Sequence, residues 1–406
     1  MGVVNASTPF LPVLLVRLGA SSALVGLLAA LPAITGVLIA LPIGRWLQGR
    51  PNIVPWYSRF RLIANLGYAA IGVAVVAASP EWATGAVIVL WAFATVPLTA
   101  ALVSFPIVMN GAAGPAGRYE LLGRRWAIMG LTTAITVVLA GQLLSFVLFP
   151  LNYGLLFGAF SVAGVASFWF TRQIRIADQP QVTGRDDLSS RERLRDLVAL
   201  LREEHPLIGY EARAFIVNAS IGLTAPLVPL FYVRELGAPD AWIGAIAAGQ
   251  ATGTLVGYLA GRRVSRLRGG HWVLLPALLG TALYPLVLAL LSNVIAVAVL
   301  AVISGFFIAG LNLGLFDELM RRVPARHGVT FTSLDYTVQN IALMLAPICG
   351  GILAVVIGLR QSLVVAAAVG FVGFVLFVLE ERGVRKRRRG TGADQRGDGG
   401  PAVEAV

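Results

Sequence analysis

One acid, Asp335, stands well inside an otherwise uncharged apolar stretch, five residues beyond Thr330. Ionisable groups in such surroundings are costly to keep and mark ion or substrate paths. An acid placed there could carry a proton. Water at the end of the stretch, or a salt bridge with Arg321 or Arg322, would also account for it. Gln339 and Asn340 follow one turn further along, and Asn218, Gln250, Asn312, Gln142, Thr95 and Thr99 are further neutral polar side chains within apolar stretches. Each could hydrogen-bond a solute or simply bond neighbouring helices to one another. Glu211 with Arg213, and Asp317 with Arg321, sit at the ends of apolar stretches. An acid–arginine pair there could latch one conformation and break in another, although solvated helix ends have the same appearance and exposed pairs are worth little. Nothing points to catalysis. The one cysteine, Cys349, forms no intrachain disulfide, and three scattered histidines build no metal site. No Gly-x-x-x-x-Gly-Lys loop is present to cradle phosphates. No catalytic residue, metal or cofactor is expected, and the chain does not read as an enzyme.

The elements that must hold these residues are helices in lipid. Of 406 residues, 57% are hydrophobic and 13% charged, against about 45–50% and about 25% in an ordinary soluble domain. Twelve apolar stretches approach the length needed to span a bilayer: 2–18, 22–43, 60–79, 82–109, 125–148, 151–171, 207–233, 241–261, 272–291, 294–316, 330–357 and 360–380. Backbone groups in hydrocarbon must bond internally, which makes the stretches helices, and none has the alternation of a membrane barrel strand. The first stretch begins at Met1 and carries Pro9 and Pro12, so the true start is expected upstream of Met1.

Net charge is +12, and 28 of the 32 Lys and Arg residues fall in the even-numbered connections, the middle connection and the tail. This asymmetry places both termini in the cytoplasm and the chain in the inner membrane. It also removes the case for a nucleic-acid partner; the partners expected are the lipid bilayer and a small molecule, with the chain acting as a monomer. The organisation is a first half (1–171), a connection (172–206), a second half (207–380) and a basic tail (381–406) expected to be disordered. In the connection, Ser189 and Glu192 have capping-box spacing ahead of Leu194, Leu197, Val198 and Leu201. The run reads as a short amphipathic helix on the membrane surface or a solvated linker helix.

The halves repeat. Pro9-Phe10-Leu11-Pro12 ahead of Leu18-Gly19-Ala20 matches Pro226-Leu227-Val228-Pro229 ahead of Leu236-Gly237-Ala238, at a separation of about 218. Gly44 to Arg50 parallels Gly257 to Arg263. Parallel repeats about an axis along the membrane normal are a transporter architecture. On the six-plus-six layout, the basic connections, the glycine-led turns and Ala346-Pro347-Ile348-Cys349-Gly350-Gly351 in the eleventh stretch, the chain resembles the major facilitator superfamily over nearly its whole length.

The resemblance implies an all-α integral membrane fold of twelve transmembrane helices in two pseudo-symmetric six-helix bundles, with helices 1, 4, 7 and 10 lining a central cavity. It implies a gating role for the turns containing Gly44, Gln48 and Arg50, and Gly257, Arg262 and Arg263. The sequence departs from the family there: Gln48 and Gly49 stand where Asp and Arg are usual, and Gly261 stands where the second half would carry Asp. The helix 4 arginine and helix 5 Gly-Pro pair of many drug/proton antiporters are also absent. The implied function is secondary transport of a small molecule by alternating access, coupled to protons, with export favoured over uptake. The alternative is a protein of this fold that acts as an assembly factor or receptor without transport.

Overall fold

The computed structural model describes residues 6–7, 9–48, 50–176, 205–268, 270–322 and 328–397. These form α1 (Phe10–Arg17), α2 (Ser22–Gln48), α3 (Val54–Ala77), α4 (Pro80–Phe146) and α5 (Leu151–Thr171) in the first half. The second half comprises α6 (His205–Leu230) with a π-helical turn (Phe231–Glu235), α7 (Asp240–Arg268), α8 (His271–Leu290), α9 (Val294–Arg322), α10 (Gly328–Val356) and α11 (Leu359–Gly397). Eleven segments of these helices are long and apolar enough to cross a membrane, and the chain is a multi-pass membrane protein.

Three boundaries differ from the sequence reading. Among its described residues the first stretch is helical over Phe10–Arg17. The fourth and fifth stretches, Glu81–Pro106 and Ile128–Phe146, are joined helically within α4. The basic tail is not coil to its end, since α11 is helical to Gly397. Its Glu, Arg, Lys, Ala and Gln residues are good helix formers, and a helix already nucleated in the span extends without a second nucleation cost. The 189–201 stretch lies outside the described residues.

The repeat is visible in the backbone. α1 is followed by Gly19 (φ +80°) and the π turn after α6 by Gly237 (φ +56°), both in the left-handed region that favours glycine. Pro9 and Pro226 are 217 residues apart, whereas Gly19 and Gly237 are 218 apart. The second copy therefore holds one extra residue, and the π turn Phe231–Glu235 absorbs it. Ala20 N bonds the Leu15 carbonyl, five residues back, while Ala238 N bonds the Tyr232 carbonyl, six back. Counted before the insertion, Arg17 and Arg234 occupy equivalent positions.

The two ends of the bundle are packed differently. At the end carrying the short connections after α1, α3, α6 and α8, one apolar core contains residues of both halves, including Phe10, Leu14 and Leu28 with Leu227, Phe231 and Ile243. At the arginine-rich end each half has its own core. Leu47, Val54, Tyr57 and Val108 pack together in the first half; Tyr210, Leu274, Leu311 and Phe377 do so in the second. α2 packs on α10, and the second span of α4 on α7, through small residues that let backbones touch. Gly26 meets the Pro347 carbonyl, Gly351 the Ser22 carbonyl and Gly141 the Cα of Gly244.

Candidate functional site

A cavity of about 760 Å³ lies between the halves. The first half lines it with Leu11, Leu28 and Pro32 and with the rings of Tyr68 and Trp91. The second half contributes Thr224, Tyr232, Gln250, Thr281, Tyr284 and Ser304, among others. The described lining carries no formal charge. It is a space of the size and mainly apolar character that small-molecule sites have.

Polar contacts between the halves close the short-connection end. Arg17, at the end of α1, donates to the Ala238 carbonyl at 2.7 Å and pairs with Asp240 at 3.3 Å. Tyr153 donates to the same carboxylate at 3.2 Å. Arg234, the positional equivalent of Arg17, donates to the Ala20 carbonyl and, at 3.1 Å, to Ser22 Oγ. Ala20 and Ala238 are themselves equivalent, each following the left-handed glycine. The result is a pseudo-symmetric clasp in which each half's arginine holds the other half's turn. Asp240 opens α7, where the helix dipole favours its charge. Sequence reading placed Arg17 and Arg234 only as stray basic residues in odd connections. The signal that could have found them was the repeat itself, counted on either side of the inserted residue.

The residues singled out from sequence are dispersed. Gln250 lines the cavity, with its Nε2 donating to Ser304 Oγ at 3.4 Å. Thr99 shares a 3.0 Å hydrogen bond with Thr35, tying α4 to α2. Thr95 is fully buried and donates to the Ala92 carbonyl, and Asn218 donates to the Ala214 carbonyl. Asn312 joins α9 to α7 through the Tyr258 hydroxyl at 3.2 Å. Asn340 donates to the Tyr336 carbonyl and lies against Gly36 of the other half. Gln142 is exposed. At the glycine-led turns, Gly44 has Val103 nearby and the Arg50 guanidinium sits over the Trp46 and Trp56 rings at 4.6 and 5.3 Å. Cation–π contact with two rings thus holds Arg50 at this turn. The Gln48 side chain lies outside the described residues. Gly257 brings α7 onto the Phe306 carbonyl of α9, and Arg262 and Arg263 are exposed.

The charged residues expected at helix ends bind within the second half. Arg213 of α6 pairs with Glu380 of α11. Arg322 of α9 pairs with Glu380 at 3.1 Å and with Glu318 at 2.6 Å. Arg321 pairs with Asp317 at 2.9 Å along its own helix. These pairs stitch α6, α9 and α11 together. Asp335 therefore has neither Arg321 nor Arg322 as its ion-pair partner in the observed contacts. It is 7% exposed and accepts a 2.6 Å bond from Gln339 Nε2, while its Oδ1 has no hydrogen-bond partner among the described residues. Glu211 is 6% exposed, and neither of its carboxylate oxygens has one. The two acids, on α10 and α6, are close enough to interact electrostatically. Buried carboxylates left incompletely bonded are expensive, which gives this pair a capacity for a proton or cation.

Residues 214–402 match the profile of the Major Facilitator Superfamily. The crystal structure of a bacterial homologue of the human lysosomal transporter Spinster, inward-facing and occupied, superposes with TM-score 0.68 at 15% identity, covering 94% of each chain. A bacterial homologue of the iron transporter ferroportin, inward-facing, gives 0.67 at 17% identity, covering 93% of this chain and 94% of that one. The nucleoside transporter NupG gives 0.66 at 14% identity, covering 93% and 96%. No curated protein matches the chain. The second half thus matches the superfamily's profile, and the fold of these transporters is shared over nearly all of the chain's length.

Proposed function

We propose that the chain is a secondary active transporter that moves a small molecule by alternating access, its halves rocking about the central cavity. The observation that carries this reading is the unequal packing of the two ends. One shared core and a two-arginine clasp close the short-connection end, while each half keeps its own core at the arginine-rich end. The positive-inside rule puts the arginine-rich end in the cytoplasm, so this state exchanges solute with the cytoplasmic side. Coupling is to protons, carried by Asp335 with Glu211 beside it, and the direction is export. The solved relatives bear transporter names, which agrees with the reading.

The test is solute movement in liposomes containing the purified chain, with and without a pH gradient. Asp335→Asn is expected to abolish gradient-driven transport and to leave exchange in the absence of a gradient intact. Equal gradient-driven rates in the variant and the unmodified chain would overturn the coupling role. If no solute moves and the chain instead co-purifies stoichiometrically with a membrane complex, the assembly-factor reading replaces transport.

A further inference from the structure

The walls of the cavity differ chemically, and the hydrogen bonds already made inside the protein determine what remains for a ligand. On the second-half wall, Thr224 Oγ1 donates to the Ser220 carbonyl at 2.8 Å, Thr254 Oγ1 to the Gln250 carbonyl at 2.8 Å and Thr281 Oγ1 to the Ala277 carbonyl at 2.8 Å. Ser220 Oγ donates to the Ala366 carbonyl at 2.8 Å, and Ser304 Oγ to the Ala301 carbonyl at 3.0 Å. A hydroxyl has one proton. Each of these groups has committed it to the backbone and can offer the cavity only lone pairs. Gln250 donates one Nε2 proton to Ser304, so its carbonyl oxygen adds another acceptor beside the one N–H that remains. Tyr232 and Tyr284 share one hydrogen bond at 3.3 Å, leaving a single phenolic proton between them. The opposite wall is mainly apolar and aromatic, with Tyr68 and Trp91 at 5.7 Å between ring centroids and the hydroxyls of Ser7 and Thr133 among its polar groups.

We infer that the cavity binds an uncharged, ring-bearing molecule whose N–H or O–H donors face the acceptor-rich wall of α6–α9 while its rings lie against Tyr68 and Trp91. An anion would meet lone pairs and no cation among the described lining residues. A fixed cation would lose its hydration with no counter-charge to replace it. A ligand with acceptors alone would bring its own lone pairs against those of the wall and forgo every hydrogen bond the wall can accept. The inference deepens the proposed transport reading by naming the substrate class, and it rests on the cavity being the binding site that reading requires.

The experiment uses the full chain in detergent and four stilbenes with the same ring system. These are 4,4′-dihydroxystilbene, its dimethyl ether, the 4,4′-dicarboxylate and a 4-trimethylammonio derivative, each titrated by thermal stabilisation and by ligand fluorescence. The diol is expected to bind about tenfold or more tightly than the ether, one unmade bond to a committed acceptor being worth roughly that factor, and the charged members are expected not to bind. Gln250→Leu is expected to weaken the diol about tenfold and leave the ether unchanged; a merely structural effect would move both. Binding of the ether or of either charged member as tightly as the diol overturns the inference, as does failure of the diol to bind. Reconstituted vesicles separate this from the transport reading. A chain that binds the diol but never moves any solute loses transport and keeps the site. A chain that moves another solute and ignores the diol loses the site and keeps transport.

Discussion

With Arg17→Ala and Arg234→Ala combined, a cysteine placed in the cavity wall at Ala247 becomes reactive to a membrane-impermeant maleimide applied from the short-connection side. The experiment uses a background in which the native Cys349 is replaced by Ser. In the unmodified clasp the same cysteine is protected from that side. The reason is energetic. Each arginine makes charge-assisted bonds to the other half, and such bonds are worth about 1.5–3 kcal/mol when well desolvated. The Arg17 and Asp240 side chains are 29% and 12% exposed, so the lower figure applies. About 1.5 kcal/mol per arginine is roughly tenfold in the balance between closed and open ends, and about a hundredfold for both if their effects add. The double variant is also expected to remain folded, because the lost bonds lie between the halves and the individual bundles keep their own cores. Unchanged protection in the double variant would show that the shared apolar core alone closes this end.

The second large effect separates packing within a half from packing between halves. α7 and α9 touch backbone to backbone: a Cβ on Gly253 would collide with the Val302 carbonyl, and one on Gly305 with the Gln250 carbonyl. Both helices belong to one half and have no freedom to part, so Gly253→Leu forces overpacking. The expected cost is about 1–3 kcal/mol or more, seen as a lower thermal midpoint in detergent. The same shift would move Gln250 and Ser304, so ligand binding falls with it. Gly26 is equally crowded, against the Pro347 carbonyl, but that contact joins α2 to α10 across the halves. Gly26→Leu can be relieved by the halves rocking apart. It is expected to keep most of its thermal stability and to show the cavity reactivity of the arginine double variant. If Gly26→Leu lost as much stability as Gly253→Leu, the halves would not be behaving as separable bodies.

Much of this architecture was legible beforehand. Stretches of apolar residues the length of a bilayer must be helices, and the placement of arginines tests their order. What sequence could not give was direction around each helix. A span that is apolar on every side has no stripe to say which face is buried. Asn218, Thr95 and Gln142 therefore looked alike, yet Asn218 and Thr95 are turned onto their own backbones and Gln142 is exposed. Gln250 was legible as a candidate, but not the fact that its neighbours' hydroxyl protons are already taken. The clasp was missed for a different reason. The acceptors that its two arginines share in common are backbone carbonyls, which every residue has, 221 and 214 positions away. The latch expected from side-chain pairs at the arginine-rich end proved to be a set of bonds inside one half, because Glu380 brings Arg213 and Arg322 together on α11.

The central claim is that closure at one end and opening at the other are a single motion of two rigid halves. Distances between paired nitroxide labels in lipid test it most directly. One pair spans the short-connection end at Ser79→Cys and Ser292→Cys, the other spans the arginine-rich end at Arg59→Cys and Arg266→Cys, all exposed positions, with Cys349→Ser in both. Introducing Gly26→Leu is expected to lengthen the first distance and shorten the second, in matching fractions of the population. Lengthening at the short-connection end with no change at the other would contradict alternating access and leave only a local loosening of the clasp.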